Sequence, residues 1–440
     1  MAEDEGYDEA RAVHNGMFDK RPLAVLRAEQ VGDVMAAVRL AGEHGLELSV
    51  RGGGHSGPGF GTNDGGLVID MGQMRTVRVD PRTSTARADA GATWGDFNYA
   101  THSFGLATTG GIISTTGIAG LTLGGGIGYL SRGAGLSIDN LVSADVVTAD
   151  GELRTASERE NEDLFWGLRG GGGNFGVVTS FEYGLHEVDQ VFAGPLFYNL
   201  EDAATVLRMF DEFIREAPEE FGGFPGFQIA PPLPFIPEGR HGDTLVLVVV
   251  HWAGSLDQAQ RVLQPFRDVA PIVADGTGPL PYPALNGAFD ALYPKGLRAY
   301  WKGSFVKDLP DEAIAAHVEH GSQVPEVTCT MHMYPINGAC HRVGANDTAF
   351  AYRDATYGMV MLAGWTDPAN DADRIAWLRS YNEALAPYSE PGGYINFMQD
   401  DDYDRIEDNY RQNYERLVDV KRTYDPANLF HVNQNIAPSA

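Results

Sequence analysis

Arg51-Gly52-Gly53-Gly54-His55-Ser56-Gly57 follows directly on a strand-like run, Leu46 to Val50, and its reading decides the fold. Three successive glycines let neighbouring backbone N–H groups converge on an anion such as a pyrophosphate with no Cβ in the way. Arg51 adds a positive charge at the start of the loop. Taken alone, the same pattern describes a surface turn with a solvated histidine. What separates the two readings is the surrounding chain, because glycine is concentrated between Arg51 and Gly176, with clusters at 52–54, 124–126 and 170–173. Upstream, the periodicity predicts a helix from about Val31 to Glu43 that ends before Gly45. Downstream, Leu67 to Asp70, Thr76 to Asp80 and Thr85 to Ala88 read as short strands separated by turn signals such as Asp80-Pro81.

The second cluster runs from Gly110 to Gly128 and carries no charge. Small and β-branched residues dominate it, which suits a segment lying against a flat, partly apolar ring system; a buried crossing of glycine-rich backbones is the alternative. The third cluster, Gly171-Gly172-Gly173-Asn174-Phe175-Gly176, fits G-x-G-x-x-G literally. A dinucleotide fingerprint needs a strand before it and a helix after it. Here Asp163 to Arg169 reads as helix and Val177 to Tyr183 as strand, so a nicotinamide site of that type is rejected.

After about Glu187 the texture changes to Pro-rich connections, such as Pro231-Pro232-Leu233-Pro234, and strands such as Thr244 to His251 and Glu326 to Tyr334. A second domain is expected there. From Tyr403 to Tyr424 the residues Ile406, Tyr410, Tyr414, Leu417 and Lys421 recur at helical spacing up to Asp425-Pro426, which predicts one amphipathic helix.

A chain of 440 residues exceeds one ordinary core and calls for two domains. Lys plus Arg number 32 against 60 Asp plus Glu, a formal charge of −28, which argues against nucleic acid or an anionic membrane as partner. The scattered acidic residues and scarce lysines resemble the surface of a salt-adapted protein. Two cysteines, Cys329 and Cys340, make no disulfide framework. With no signal peptide and no bilayer-length apolar run, the expectation is a cytoplasmic protein without a membrane partner, its oligomeric state open. Cys329, His332, Cys340 and His341 suggest a metal site only superficially, since Cys329 and His332 point to opposite faces of a strand-like run; none is expected.

Together these residues resemble the berberine bridge enzyme-like FAD-linked oxidases of the vanillyl-alcohol oxidase superfamily, which carry a PCMH-type FAD domain. The resemblance covers nearly the whole chain. It rests on Arg51-Gly-Gly-Gly-His55-Ser56, Gly117-Ile-Ala-Gly120 with Leu-Thr-Leu-Gly-Gly-Gly126, Gly135-Leu-Ser-Ile-Asp139-Asn140, Gly172-Gly-Asn-Phe-Gly176-Val-Val-Thr179, and Asp425-Pro-Ala-Asn-Leu-Phe430 leading to Asn433-Gln-Asn435-Ile. It implies an α+β fold in which residues 1–190 form the FAD domain, 191–395 a substrate domain with an antiparallel sheet covered by helices, and 396–440 a segment returning to the FAD domain. It further implies FAD bonded covalently through His55 and held by Arg51, Gly52, Gly53, Gly54, Ser56, Gly57, Gly111, Ser114, Thr116, Gly117, Gly120, Gly124, Gly126, Asn140, Gly176, Val177, Val178, Asn433 and Asn435. Ile113 stands where some relatives carry a second, cysteinyl link, so the flavin is expected to be monocovalent.

The chemistry implied is hydride transfer from a small alcohol, sugar or amine to flavin N5, with a proton removed from O–H or N–H and reoxidation by O2 to hydrogen peroxide. Thr116, close to Val in shape, leans the reading toward oxidase over dehydrogenase. In many relatives the base is the last tyrosine of Tyr-x-Asn-Tyr; here the stretch is Tyr394-Ile395-Asn396-Phe397, with Phe397 at that position. Tyr394, Asn396, Lys302 and Tyr352 are the catalytic candidates, with Tyr357 and His332 behind them. A flavin-binding module without turnover is the rival reading, and a non-redox acidic binding protein a more distant one.

Overall fold

In the computed structural model, which describes residues 1–438, the helix Val31–His44 buries Val34, Ala37, Val38 and Ala41. Asp33 Oδ2 accepts the Gln30 N–H where it opens, and Gly45, at φ 61°, closes it. It packs over three parallel strands, with Leu67–Asp70 paired between Ala24–Arg27 and Leu48–Arg51. The glycine loop therefore leaves the end of a buried strand, which fixes where it begins. A second sheet is antiparallel, in the order Val77–Asp80, Thr85–Asp89, Val177–Gly184, Leu141–Val147, Leu153–Ser157. The helix Glu162–Leu168 precedes Val177–Gly184, the reverse of a dinucleotide fingerprint, as the sequence required.

Residues 190–365 build the largest sheet, antiparallel throughout, in the order Ile272–Asp275, Gln190–Tyr198, Thr244–Trp252, Phe221–Ile229, Thr330–Pro335, Tyr357–Trp365, Arg298–Val306. The helices Ala203–Glu216, Leu256–Asp268, Asp311–Gly321 and Asp371–Leu385 cover one face. Strand alternation sorts the side chains between that core and the opposite face. Met331, Met333, Met359 and Met361 are buried with Leu207, Phe210, Phe266 and Leu378 under the helices, each such side chain contributing roughly 1.5–3 kcal/mol. Tyr334, Val360 and Phe305 turn the other way, toward Ile127, Tyr129 and Tyr394.

The expected helix over Tyr403 to Tyr424 is interrupted. A 3-10 turn, Asp400–Arg405, is followed by the short helix Ile406–Tyr410, a second 3-10 turn, Arg411–Asn413, and the helix Tyr414–Tyr424. Arg411 breaks it at φ 46°, held there by Asp354 and Glu390 and by its guanidinium 3.6 Å from the centre of the Tyr352 ring. Tertiary contacts here override a good helical pattern. Likewise the strand expected from Glu326 starts only at Thr330, because residues 326–329 close a turn in which Cys329 N–H donates to Glu326 O.

The final helix ties its tail back to the glycine clusters. Lys421 and Asp425 form a fully buried pair at 2.7 Å, and the Lys421 ammonium also donates to Asn174 O and Phe430 O. Asp425 receives the Leu429 and Phe430 N–H groups, and Asn174 holds Gln434 O and Ile436 N–H. Asp425-Pro-Ala-Asn-Leu-Phe430 is thus a built turn that lays residues 430–436 against Gly171–Asn174.

Candidate active site

The loops that carry glycine meet around one large cavity. Gly52 to Ser56 line it, and no acceptor among the described residues receives their five backbone N–H groups. A row of unpaired donors facing a cavity is the arrangement that binds an anion such as a pyrophosphate. The Gly53 and Gly117 backbones cross at this point: a Cβ on Gly53 would lie 2.3 Å from Gly117 N, and one on Gly117 the same distance from Gly53 N. The second cluster thus contains the crossing of glycine-rich backbones, and the crossing glycines also line the cavity. Gly120 and Gly173 face it with nothing within 4 Å of a Cβ position, leaving room for a flat group to approach the backbone.

His55 stands at the junction of these loops. Its Nε2 is 3.0 Å from Thr115 Oγ1 and its Nδ1 3.4 Å from Thr116 Oγ1, and the His14 ring lies against it at 3.8 Å between centres. Burial, with His14 beside it, pushes the imidazole down to about 3, a hydrogen bond to the Thr115 backbone opposing. The ring is therefore neutral near pH 7 and offers one nitrogen lone pair to an electrophile.

Of the expected flavin residues, Arg51, Gly52, Gly53, Gly54, His55, Ser56, Gly57, Gly111, Thr116, Gly117, Gly120 and Asn433 line this cavity. The Arg51 charge is not offered to it, because the guanidinium is spent on Asp70 and on the Ala10 and Ala12 carbonyls. Ser114 is drawn away by Asp290, which takes both its N–H and its hydroxyl. Asn140 braces Ala134 O, Leu136 O and His186. Gly126 N–H goes to Tyr394 Oη, and Asn396 Oδ1 lies against Gly124. Gly176, Val177 and Val178 belong to the packing against Val146 and Val147. Gly124, Gly126, Asn435 and these last three sit behind the cavity lining. Asn433 does line the cavity, and its Oδ1 is buried with no hydrogen-bond partner among the described residues.

The catalytic candidates divide in the same way. Lys302 points to the opposite face of its strand, held at 2.8 Å by both Asp401 and Asp402. Tyr352 donates to Asp408 O and receives Gly392 N–H, and Tyr357 donates to Asp211 beneath the helices. None of these three lines the cavity. Tyr394 and Asn396 do, at a 3-10 turn, Ile395–Phe397. Tyr394 Oη receives N–H from Gly126, Ile127 and Asn396, and Asn396 also donates to Leu121 O. These two clamp the glycine segment.

One wall comes from the large sheet. Ala299 and Trp301, Thr330, His332 and Tyr334, and Val360 and Leu362 project alternately from three neighbouring strands into the cavity. Phe397 stacks on Trp301, the rings 5.9 Å apart and 7° from parallel. The sequence reading named His332 but missed Tyr334, Thr330, Val360, Leu362 and His14. Alternation across 330, 332 and 334 was the available signal; for His14 there was none, since it arrives on an irregular N-terminal segment.

An FAD binding domain model matches residues 22–157, and a berberine and berberine-like model matches residues 393–437. An FAD-linked oxidoreductase of Dictyostelium discoideum is 30% identical over 422 residues, 95% of this chain and 89% of that protein. The (R)-6-hydroxynicotine oxidase of Paenarthrobacter nicotinovorans is 31% identical over 99% of this chain and 95% of its own length. The chain belongs to the berberine bridge enzyme-like FAD-linked oxidoreductases. The crystal structure of 6-hydroxy-D-nicotine oxidase from Arthrobacter nicotinovorans superposes with a TM-score of 0.86 at 29% identity, covering 99% of this chain and 97% of that one. The fold is also that of a xylooligosaccharide oxidase from Myceliophthora thermophila, TM-score 0.87 at 24% identity over 100% of this chain and 97% of that one. As a berberine bridge enzyme-like oxidoreductase the chain is an FAD-dependent enzyme with the expected α+β, PCMH-type architecture, and the unpaired donors at Gly52–Ser56 fit the cofactor. No helix among the described residues is long and apolar enough to cross a membrane.

Proposed function

We propose that this enzyme is an oxidase carrying FAD through a single covalent bond to His55, acting on a small alcohol or amine and returning the electrons to O2 as hydrogen peroxide. The observation that carries the reading is His55 itself: a neutral imidazole at the cavity surface, two residues beyond the Gly53–Gly117 crossing and beside a row of unpaired N–H donors. A second, thioether link has no thiol to form it. Ile113 lines the cavity, while the buried Cys329 and Cys340 donate to Gly364 O and Ser131 O elsewhere. Two free buried thiols also suit a reducing, cytoplasmic setting.

When bound, the flavin supplies a two-electron acceptor. The chain's part is positioning and exclusion. Gly52–Ser56 N–H groups hold the anionic end, Gly120 and Gly173 let the backbone approach a planar ring, and Asn433 offers a free acceptor. Trp301, Phe397, Leu297, Val360 and Leu362 form an apolar wall without a single Asp or Glu in the cavity lining, which suits a compact, weakly polar substrate better than a sugar. Thr116, on the His55 side of the cavity, is small enough to leave a path for O2.

Acid precipitation followed by intact-mass measurement tests the covalent bond. Flavin that stays with the polypeptide and is lost in His55→Ala is the expected result; intact FAD released from wild type overturns it. Peroxide formed in proportion to substrate consumed establishes the oxidase. Anaerobic bleaching that is reversed by a dye but not by air assigns a dehydrogenase instead, and a flavin that no reductant bleaches assigns a binding protein.

A further inference from the structure

The cavity lacks the C-terminal tyrosine base, since residue 397 is Phe, and it contains no carboxylate to replace it. Its titratable lining groups are His14, Arg51, His55, Tyr293, His332, Tyr334 and Tyr394. Arg51 and Tyr394 are committed, Tyr394 with three donors crowding its oxygen. His14 and His55 stack on each other beside the glycine loop. On the sheet wall, Tyr334 has an outlet for a proton.

The direction of that outlet follows from the hydrogen bonds. Thr330 Oγ1 donates to Phe227 O at 3.1 Å, so its lone pair receives His332 Nε2–H at 2.9 Å. His332 Nδ1 then carries the lone pair and accepts the Tyr334 hydroxyl at 2.8 Å. Gly226 makes this possible: its missing Cβ would lie 2.9 Å from His332 Cδ2. Phe224, 4.2 Å away between ring centres, packs against the imidazole. Burial pushes His332 down to about 3, so the lone pair is present throughout the neutral range.

We propose that Tyr334, discharging into His332, is the proton acceptor of the reaction. As the substrate C–H hydrogen leaves with two electrons for the bound flavin, the substrate O–H or N–H bond breaks and its proton forms a bond to Tyr334 Oη. The original Tyr334 proton passes to His332 Nδ1, leaving an imidazolium that Thr330 orients. Tyr129 and Tyr293 are the titratable neighbours of Tyr334, and aromatic rings surround His332. Among the described residues none accepts the Tyr293 hydroxyl. The inference rests on the flavin-oxidase reading but adds a base to it that the chain's C-terminal motif does not supply.

Two measurements test it, one of them independent of turnover. Imidazole 15N NMR on the purified holoenzyme must show His332 protonated at Nε2, with its Nδ1 signal displaced in Tyr334→Phe; a proton on Nδ1 reverses the relay and overturns the proposal. Anaerobic stopped-flow bleaching is read with benzyl alcohol and benzylamine as probes. Tyr334→Phe is expected to slow reduction by about 10²–10⁴-fold with flavin content, melting temperature and probe binding unchanged, while Tyr293→Phe stays within about threefold. A Tyr334→Phe enzyme that reduces at the wild-type rate, or an equal loss in Tyr293→Phe, overturns the assignment. If neither probe bleaches wild type, the substrate reading fails, and the NMR result alone supports or overturns the relay.

Discussion

Replacing Gly53 with Ala separates the two jobs of the glycine-rich loops. The added methyl would lie 2.3 Å from Gly117 N, 2.7 Å from Gly117 Cα and 3.3 Å from Thr115 O, where non-bonded carbon contacts settle at about 3.5–4 Å. Relief comes only by parting two backbones by roughly 1 Å, and no flexible side chain is available to absorb it. Overpacking of this kind costs about 1–3 kcal/mol, or roughly 2–4 °C of melting temperature per kcal/mol in a unit of this size. The shift also stretches the contact between His55 and Thr115 Oγ1, 3.0 Å in the native site, so the acid-stable flavin fraction should fall with the melting point. Gly120→Ala is the matched contrast. Its methyl meets no protein atom within 4 Å, and Ala gains up to about 1 kcal/mol over Gly in a helix. The flavin-free protein should melt at or slightly above the wild-type temperature while flavin loading drops, because the methyl enters the cavity. Calorimetry with and without added FAD reads both effects. A Gly53→Ala protein that melts and loads like wild type, or a Gly120→Ala protein that unfolds without flavin, refutes the reasoning.

Other outcomes follow from buried polar pairs and close packing. Lys421→Met strands the buried Asp425 carboxylate and should cost about 3–5 kcal/mol, seen as a lower urea midpoint with faster hydrogen exchange over residues 428–436; a loss below about 1 kcal/mol contradicts the role of the pair. At Asp401, burial opposes the charge, but Lys302, Tyr300 and Arg379 outweigh it and hold the carboxyl at about 2. A depressed folded-state value contributes stability above the usual carboxylate range near 4 and loses it as pH falls toward 2. The stability gap between wild type and Asp401→Asn should thus narrow across that window, and a gap that is constant with pH would count against the network. Gly226→Ala puts a methyl 2.4 Å from Met331 O as well as against His332. It should lower stability by about 1–3 kcal/mol and shift the His332 imidazole resonances, whereas unchanged resonances would mean the ring is not confined there.

Much of this was legible in the sequence because the signals were local. The strand before Gly52, the reversed helix–glycine–strand order at Gly171–Gly176 and the Asp425-Pro turn each depend on a few adjacent residues, and each appears in the structure. The helix over 403–424 failed for the opposite reason: Arg411 leaves helical geometry for partners at Asp354, Glu390 and Tyr352, which no window around residue 411 contains. The site shows the same division. Gly53, His55 and Gly117 could be named from motifs, but the placement of Lys302 away from the cavity is a property of sheet register, since it pairs with Met361 on the helix-covered side, and that of Tyr352 is a property of its loop, which ties the hydroxyl to Asp408 O and Gly392 N–H. Tyr334 was missed because its significance lies in an i, i+2 contact with His332 and in the absence of a carboxylate nearby, both facts of assembly.

The docking of residues 430–436 onto Gly171–Asn174 has a consequence in time. Gln434 O meets Asn174 across 260 residues of chain, and at about 5–20 residues per second of synthesis the gap between them is on the order of tens of seconds. Throughout that interval the nascent glycine loops lack the part of the cavity lining that Phe430, Val432, Asn433 and Gln434 supply. Only when residues 430–434 arrive is the lining of the cavity complete, so the shape that a flavin meets is finished by the last part of the chain to be made.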